Sequence, residues 1–380
     1  MNTLDFRDML ERLVQLPSIS SADTAQDMSN RPVVELLAEV LAPYGFAIEI
    51  QALPGDKANL IATLGEGPHG LVLAGHTDTV PCDAALWRSD PFTLVERDAR
   101  FYGLGSTDMK GFFAVVIQAL NTLQLQNPKQ PLIVLATADE ESSMSGARAL
   151  AQAKSLRARY ALIGEPTNLK PVHMHKGVLM ESIRLRGQSG HSSNPARGRS
   201  ALDAMHTAMG ALMALREQWG LRYQNAAFEV AVPTLNLASI HGGDAPNRIC
   251  QHCELGFDVR LLPGMQSQAV REEIRQSVIN SLAGSNIEAE FVPLFDGVES
   301  YLEPRESELV ACVEKLTGYS AGSANFATEA PLLQELGLQT VVLGPGSIDC
   351  AHQPNEYIEH RQIEPAVKLL ASLIDQFCLH

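Results

Sequence analysis

Residues 71–81 read Leu71-Val72-Leu73-Ala74-Gly75-His76-Thr77-Asp78-Thr79-Val80-Pro81. Leu71 to Ala74 are apolar without a break, as in a strand covered on both faces, and strands of that kind belong to mostly parallel sheets flanked by helices. Polar residues begin only where the strand ends, and in open α/β sheets ligands gather outside the carboxyl ends of strands. His76 and Asp78 stand two apart in extended chain and so face the same way. The Asp78 carboxylate can then accept the second ring N–H of His76 and fix its tautomer for metal binding. Alone, a histidine at a strand end is more often a hydrogen-bonded structural residue than a ligand, and the carboxylate two residues on narrows that difference.

Working outward, four more stretches repeat that design. Leu132 to Ala136 runs into Asp139-Glu140-Glu141, and Tyr160 to Ile163 into Glu165, which Pro166 holds extended. The apolar run Gln339 to Leu343 leads, across a turn rich in Gly and Pro, to His352 and Glu356, and a glycine-rich approach from Tyr102 reaches Asp108 just before a helix. Each has an ordinary reading: Asp108 as a helix N-cap, the three acids as a solvated turn. The glycines match neither a phosphate-cradling loop nor a dinucleotide fingerprint. Neighbouring side chains diverge, so one of Glu140 and Glu141 can bind a metal while the other serves as a base. Jointly, two histidines and several acids at successive strand ends exceed what capping and solubility need.

The rest of the chain sorts around these strands. Helices are expected over 3–16, 31–44, 111–123 and 145–154, with a mostly parallel sheet from Asn59 onward. After about Gly177 the pattern becomes β-α-β-β-α-β: strands over 178–187, 233–240, 249–261 and 287–292, and helices over 200–219 and 266–282, the first opened by Ser200 and Asp203 in capping-box spacing. That order predicts an inserted ferredoxin-like α+β domain at 178–292, interrupting a discontinuous α/β domain at 1–177 and 293–380, which closes with helices over 307–316 and 365–377. Met205, Met209 and Met213 fall at helical spacing and read as core. Cys250 and Cys253 form a C-x-x-C in a segment expected to be extended, where positions three apart face opposite ways and cannot share a metal.

Composition narrows the function. With 44 acidic and 29 basic residues the formal charge is -15, which disfavours nucleic acid and anionic membranes as partners. No apolar run approaches the ~18 residues that span a bilayer. Asp5, Arg7, Asp8, Glu11 and Arg12 spoil a secretory signal, and six scattered cysteines do not make a disulfide framework, so a cytoplasmic protein acting on a small molecule is expected.

Nitrogen from His76 and His352 with oxygen from Asp108, Glu141 and Glu165, and no thiolate, suits zinc in a hydrolytic site. Five ligands fit two ions about 3.5 to 4 Å apart if one carboxylate bridges. The motifs G-H-T-D-T-V-P (75–81), G-S-T-D-M-K-G (105–111), A-D-E-E-S (138–142), G-E-P-T (164–167), G-H-S-S (190–193) and A-H-Q-P-N-E (351–356) resemble those of the M20 family of metallopeptidases and deacylases over nearly the whole chain. The resemblance implies that His76, Asp108 and Glu165 hold one metal and Asp108, Glu141 and His352 the other, with a cis peptide after Asp108. It further implies Glu140 as general base and acid, His191 as an oxyanion donor reaching the other subunit of a homodimer, and an inserted domain that dimerises and closes over substrate. Asn247 and Arg260 match substrate-binding positions. Ala327-Thr328-Glu329-Ala330 matches a loop lining the pocket, where Glu329 is expected to pair with a cationic substrate tail.

The likeness is closest to the family's deacetylases and implies hydrolysis of N2-acetyl-L-ornithine to L-ornithine and acetate in arginine biosynthesis. Cobalt is implied as a substitute for zinc. Glutathione is associated with such enzymes, with no site for it legible here. A succinyl-diaminopimelate desuccinylase, a general aminoacylase and a C-terminal-trimming peptidase are rivals on the same scaffold. A non-catalytic metal-binding scaffold is the rival of another class, and it has no use for a base such as Glu140.

Overall fold

The computed structural model describes residues 4–125, 128–154 and 156–380. They form two compact units, one of Met1–His173, Glu303–Gly322 and Glu329–His380, the other of Met174–Leu302 and Ser323–Thr328.

In the first unit a mixed sheet runs, in spatial order, Ala47–Leu53, Lys57–Leu64, Leu132–Thr137, Leu71–His76, Tyr160–Pro166, Gln339–Gly344. The last four are mutually parallel and buried along nearly their whole length, as their unbroken apolar runs predict. The mostly parallel sheet expected from Asn59 onward is present, with Lys57–Leu64 as an exception that pairs antiparallel with both neighbours. Its link to Ala47–Leu53 is only Pro54–Asp56, too short for the crossover that parallel pairing requires.

The helix Lys110–Asn121 is buried almost all round, and Phe6–Val14 and His360–Ile374 pack against it. Phe6–Val14 lies within the stretch expected over 3–16, of which position 3 is outside the described residues. His360–Ile374 starts five residues before the expected Pro365, which sits inside the helix. The proline suggests a first helical turn, but the apolar face already begins at the partly buried Ile363, which packs on the core. Core burial presses on the strand that carries Glu165: a Cβ on Gly164 would stand 2.1 Å from Cδ2 of Phe112. Gly164→Ala is expected to cost about 1 to 3 kcal/mol through forced displacement of that ring, read by denaturant unfolding.

In the second unit Thr234–Gly242, His252–Leu261, Gly177–Arg186 and Glu288–Pro293 form an antiparallel sheet in that order. Helices Ala201–Arg222 and Ser267–Ser281 pack against each other, and the sequence order is the expected β-α-β-β-α-β. The Ser200 hydroxyl accepts from Asp203 N–H at 3.1 Å, the cap that the spacing predicts. Met205 is fully buried and Met209 partly so, but Met213 is 42% exposed, which corrects its assignment to the core: the apolar stripe is narrower than the methionine spacing. The extended segment begins at His252, so Cys250 lies in the preceding loop while Cys253 is buried in the strand. All six cysteines are free. Among the described residues no helix is long and apolar enough to cross a membrane.

Candidate active site

The parallel strands of the first unit end together, and their polar tails converge. His76 closes its strand opposite Thr137 and is 1% exposed. Its Nδ1 lies 3.0 Å from the carbonyl oxygen of Asp78, which makes it the protonated nitrogen and leaves Nε2, 3.1 Å from Asp108 Oδ1, as the ligand atom. The expected role of Asp78 is thereby corrected. Its carboxylate stands 3.6 Å from the ring and instead accepts the backbone N–H groups of Glu140 (3.2 Å) and Glu141 (3.1 Å). A fully buried carboxylate needs such donors, and the neighbouring acidic turn supplies them.

Asp108 sits at the end of the glycine-rich loop, and the peptide after it is cis. Its Oδ1 faces His76, and its Oδ2 lies 3.4 Å from Nε2 of His352, so each oxygen addresses a different imidazole. The loop is held by Glu356, to which the sequence assigns no role. That carboxylate, 2% exposed, accepts from the backbone N–H of Gly105 (2.9 Å), Thr107 (2.7 Å) and Asp108 (3.0 Å). An acid four residues after His352 is the only signal in the sequence that one segment serves both.

Glu141 Oε1 lies 3.0 Å from His352 Nε2. Donor atoms of His76, Asp108 and Glu141 fall within 4.8 Å of one another, and so do those of His76, Glu140 and Glu165. Glu140 thus stands inside the donor cluster, beside the groups the resemblance names as ligands.

Electrostatics say what this cluster attracts. Burial, then the charges of neighbouring carboxylates, pushes Glu140, Glu141 and Glu165 above the usual carboxylate range. Burial opposes charging of His76, but Asp108, Asp78 and Glu165 outweigh it and hold its pKa well up. Hydrogen bonds donated by the His352 ring to the carboxylates of Asp108 and Glu141 raise its pKa to about 10. Burial would raise Asp108, but the two histidines pull it below the ordinary value. Acids crowded out of water are relieved by compact positive charge, and an imidazole–carboxylate donor set fits a divalent metal.

Glu329 belongs to the same unit and is 1% exposed. One oxygen accepts from Thr137 Oγ1 at 3.0 Å. The other is buried without a hydrogen-bond partner, and burial raises the carboxyl to about 7. The remaining expected residues lie in the second unit. Thr328 is fully buried, with its N and Oγ1 at 3.3 and 3.0 Å from His175 Nε2. Arg260 Nε meets Asp258 at 3.1 Å. His191, exposed, accepts at Nδ1 from Ser193 N and Oγ (3.1 and 2.7 Å). Its loop is tied to that of Asn247, whose carbonyl accepts from Ser192 N–H at 3.1 Å.

The model of peptidase family M20/M25/M40 matches residues 72–376. The chain is 48% identical over 382 residues to an acetylornithine deacetylase of Edwardsiella ictaluri (strain 93-146), covering 100% of both chains. It is 47% identical over 376 residues to an acetylornithine deacetylase of Photorhabdus laumondii subsp. laumondii, covering 98% of this chain and 97% of that one. In fold it is similar to an M20 family metallo-carboxypeptidase from Sulfolobus solfataricus, with a TM-score of 0.78 at 18% identity over 97% of this chain and 98% of that chain. Strand order, converging strand-end donors and matched length lead to one conclusion: the chain belongs to peptidase family M20/M25/M40.

Proposed function

We propose that the chain is a metal-dependent amide hydrolase that converts N2-acetyl-L-ornithine and water to L-ornithine and acetate, a step of arginine biosynthesis. The observation that carries this choice is 47% and 48% identity to two acetylornithine deacetylases over 98% and 100% of the chain. His76, Asp108 and Glu165 would hold one divalent ion, and Asp108, Glu141 and His352 the other. The two oxygens of Asp108, each facing a different imidazole, support its being shared. Donors of this type favour zinc, with cobalt as a substitute. When bound, such ions polarise an amide carbonyl and make water a stronger acid.

The chain's own groups do the rest. Glu140 takes a proton from the attacking water as the new C–O bond forms and the carbonyl oxygen becomes an oxyanion; it then delivers that proton to the amine nitrogen as the oxyanion collapses, the C–N bond breaks and acetate and amine separate. His191 from the partner subunit donates to the developing oxyanion, and Asn247, Arg260 and Thr328 hold the amino-acid portion, Arg260 on its carboxylate. The segment 178–292 is the lid and homodimer interface, 1–177 with 293–380 the catalytic domain, and the cytoplasm the compartment. Glutathione has no residue assigned to it.

Glu329 supplies the choice of a cationic tail: a buried carboxylate oxygen without a partner, close to the donor cluster, fits the δ-ammonium of the substrate. Glu329→Gln keeps the bond to Thr137 and is expected to raise KM for acetylornithine about 10- to 100-fold while leaving acetylmethionine within about twofold. Equal changes for both substrates remove this role. The reading as a whole is tested by amine release from acetylornithine, acetylmethionine and succinyl-diaminopimelate, before and after chelation and zinc restoration. The highest kcat/KM is expected on acetylornithine, and a higher one on either rival reassigns the substrate.

A further inference from the structure

Asp139 opens the acidic turn with φ of +58°, the left-handed region that a residue other than glycine enters at a cost and keeps only where its surroundings fix it. Its surroundings do so on both oxygens. Oδ1 meets Lys57 Nζ at 2.9 Å and Ser20 Oγ at 3.0 Å, and Oδ2 meets Ser145 Oγ at 2.9 Å. The Asp139 carbonyl accepts from Ser143 and Met144 N–H at 3.0 and 2.6 Å. Lys57 is 2% exposed, and its ammonium is completed by Asp27 Oδ1 (2.8 Å) and the carbonyl of Met28 (2.6 Å).

Two residues along the same strand face, Asn59 grips the same segment. Its Oδ1 accepts from Ala138 N–H at 3.1 Å and its Nδ2 donates to the carbonyl of Gly146 at 2.9 Å. Lys57 and Asn59 therefore bind the turn at its start, its first residue and its exit, while Asp78 holds the next two amides. A buried ion pair is weak evidence of stability, because desolvating two charges offsets much of their attraction. An apolar residue would serve the interior of this strand as well, so the charge is explained by the geometry it imposes.

We propose that Lys57 and Asp139 are positioning residues: anchored by the neighbouring strand, they clamp the turn so that Glu140 and Glu141 are aimed in their different directions. The clamp rests on the reading of Glu140 as base and Glu141 as ligand. Neither anchor touches substrate.

The test uses Asp139→Asn, isosteric and tolerant of the left-handed region, and Lys57→Met, singly and together, each checked for folding by circular dichroism and Tm. Each single variant is expected to lower kcat about 10- to 100-fold with KM within about twofold, and to weaken zinc binding, measured by competition with a chromophoric chelator, about 10-fold. Because both act through one turn, the double variant should lose no more than the worse single one. A folded Asp139→Asn protein with unchanged kcat and zinc affinity overturns the proposal, and so do losses that multiply in the double variant. The zinc titration needs no substrate. If the unaltered protein does not hydrolyse acetylornithine but Asp139→Asn still loosens zinc, the proposed activity fails and the clamp stands.

Discussion

Glu140→Gln is expected to lower kcat for acetylornithine by about 10²- to 10⁴-fold, with KM within about threefold and metal content unchanged. The carboxylate lies in one donor group with His76 and Glu165, and its backbone N–H is tied to Asp78, so the amide isostere keeps the position while losing the ability to take a proton. Burial and the charge of Glu165 lift its proton affinity towards that of a group able to accept from water and give to an amine. The same proximity allows a rival role, since Glu140 stands close enough to His76 and Glu165 to be a ligand itself. Metal content separates the two. A variant that retains kcat within tenfold places the base elsewhere, and one that loses an equivalent of metal makes Glu140 a ligand.

What could be read in the chain, and what could not, follows from the range of the interactions. Strands such as Leu132–Thr137 announce themselves because burial on both faces leaves no polar position to interrupt them, and the residue after the last apolar one is then in view of a ligand. Such local patterns exposed the parallel core, the inserted β-α-β-β-α-β unit and the converging donors. The partners of those donors were hidden, because they join residues remote in sequence. Glu356 holds the Asp108 loop from 248 positions away, and Lys57 reaches the acidic turn from the next strand. Nothing in either neighbourhood marks an acid or a lysine as buried. Asp78 shows the opposite failure: the period-two rule placed it on the face of His76, but its carboxylate is claimed by two backbone N–H groups that only tertiary structure brings near. The start of His360–Ile374 was missed for a local reason, since proline favours a first turn without requiring one.

Chelation is expected to abolish hydrolysis and to leave a protein whose stability falls as pH rises from about 5 to 8. In the stripped protein burial lifts Glu329 to about 7 and Glu356 to about 8, and Glu140, Glu141 and Glu165 are raised as well. Unfolded, these groups titrate near 4.3, so between that value and their folded values the folded chain binds more protons than the unfolded one. Stability rises with pH only where the unfolded state binds more, so here it is greatest below about 4.3 and is lost as pH climbs through 7 to 8. His352, raised to about 10, acts with the same sign, its contribution being lost progressively from about 6.5, where an ordinary histidine titrates, up to about 10. Asp108, held low, acts with the opposite sign and loses its own only at greater acidity. Metal reverses the trend, because it competes with protons for the same ligands and binds better as they leave. At a hundredfold excess over its Kd, metal adds about 2.7 kcal/mol. The Tm gap between zinc-loaded and stripped protein should therefore widen steadily from pH 5 to 8 in a thermal-shift series. A stripped protein whose Tm stays level or climbs over that range would show that these acids are not crowded, and undiminished hydrolysis after chelation would remove the metal from the reaction.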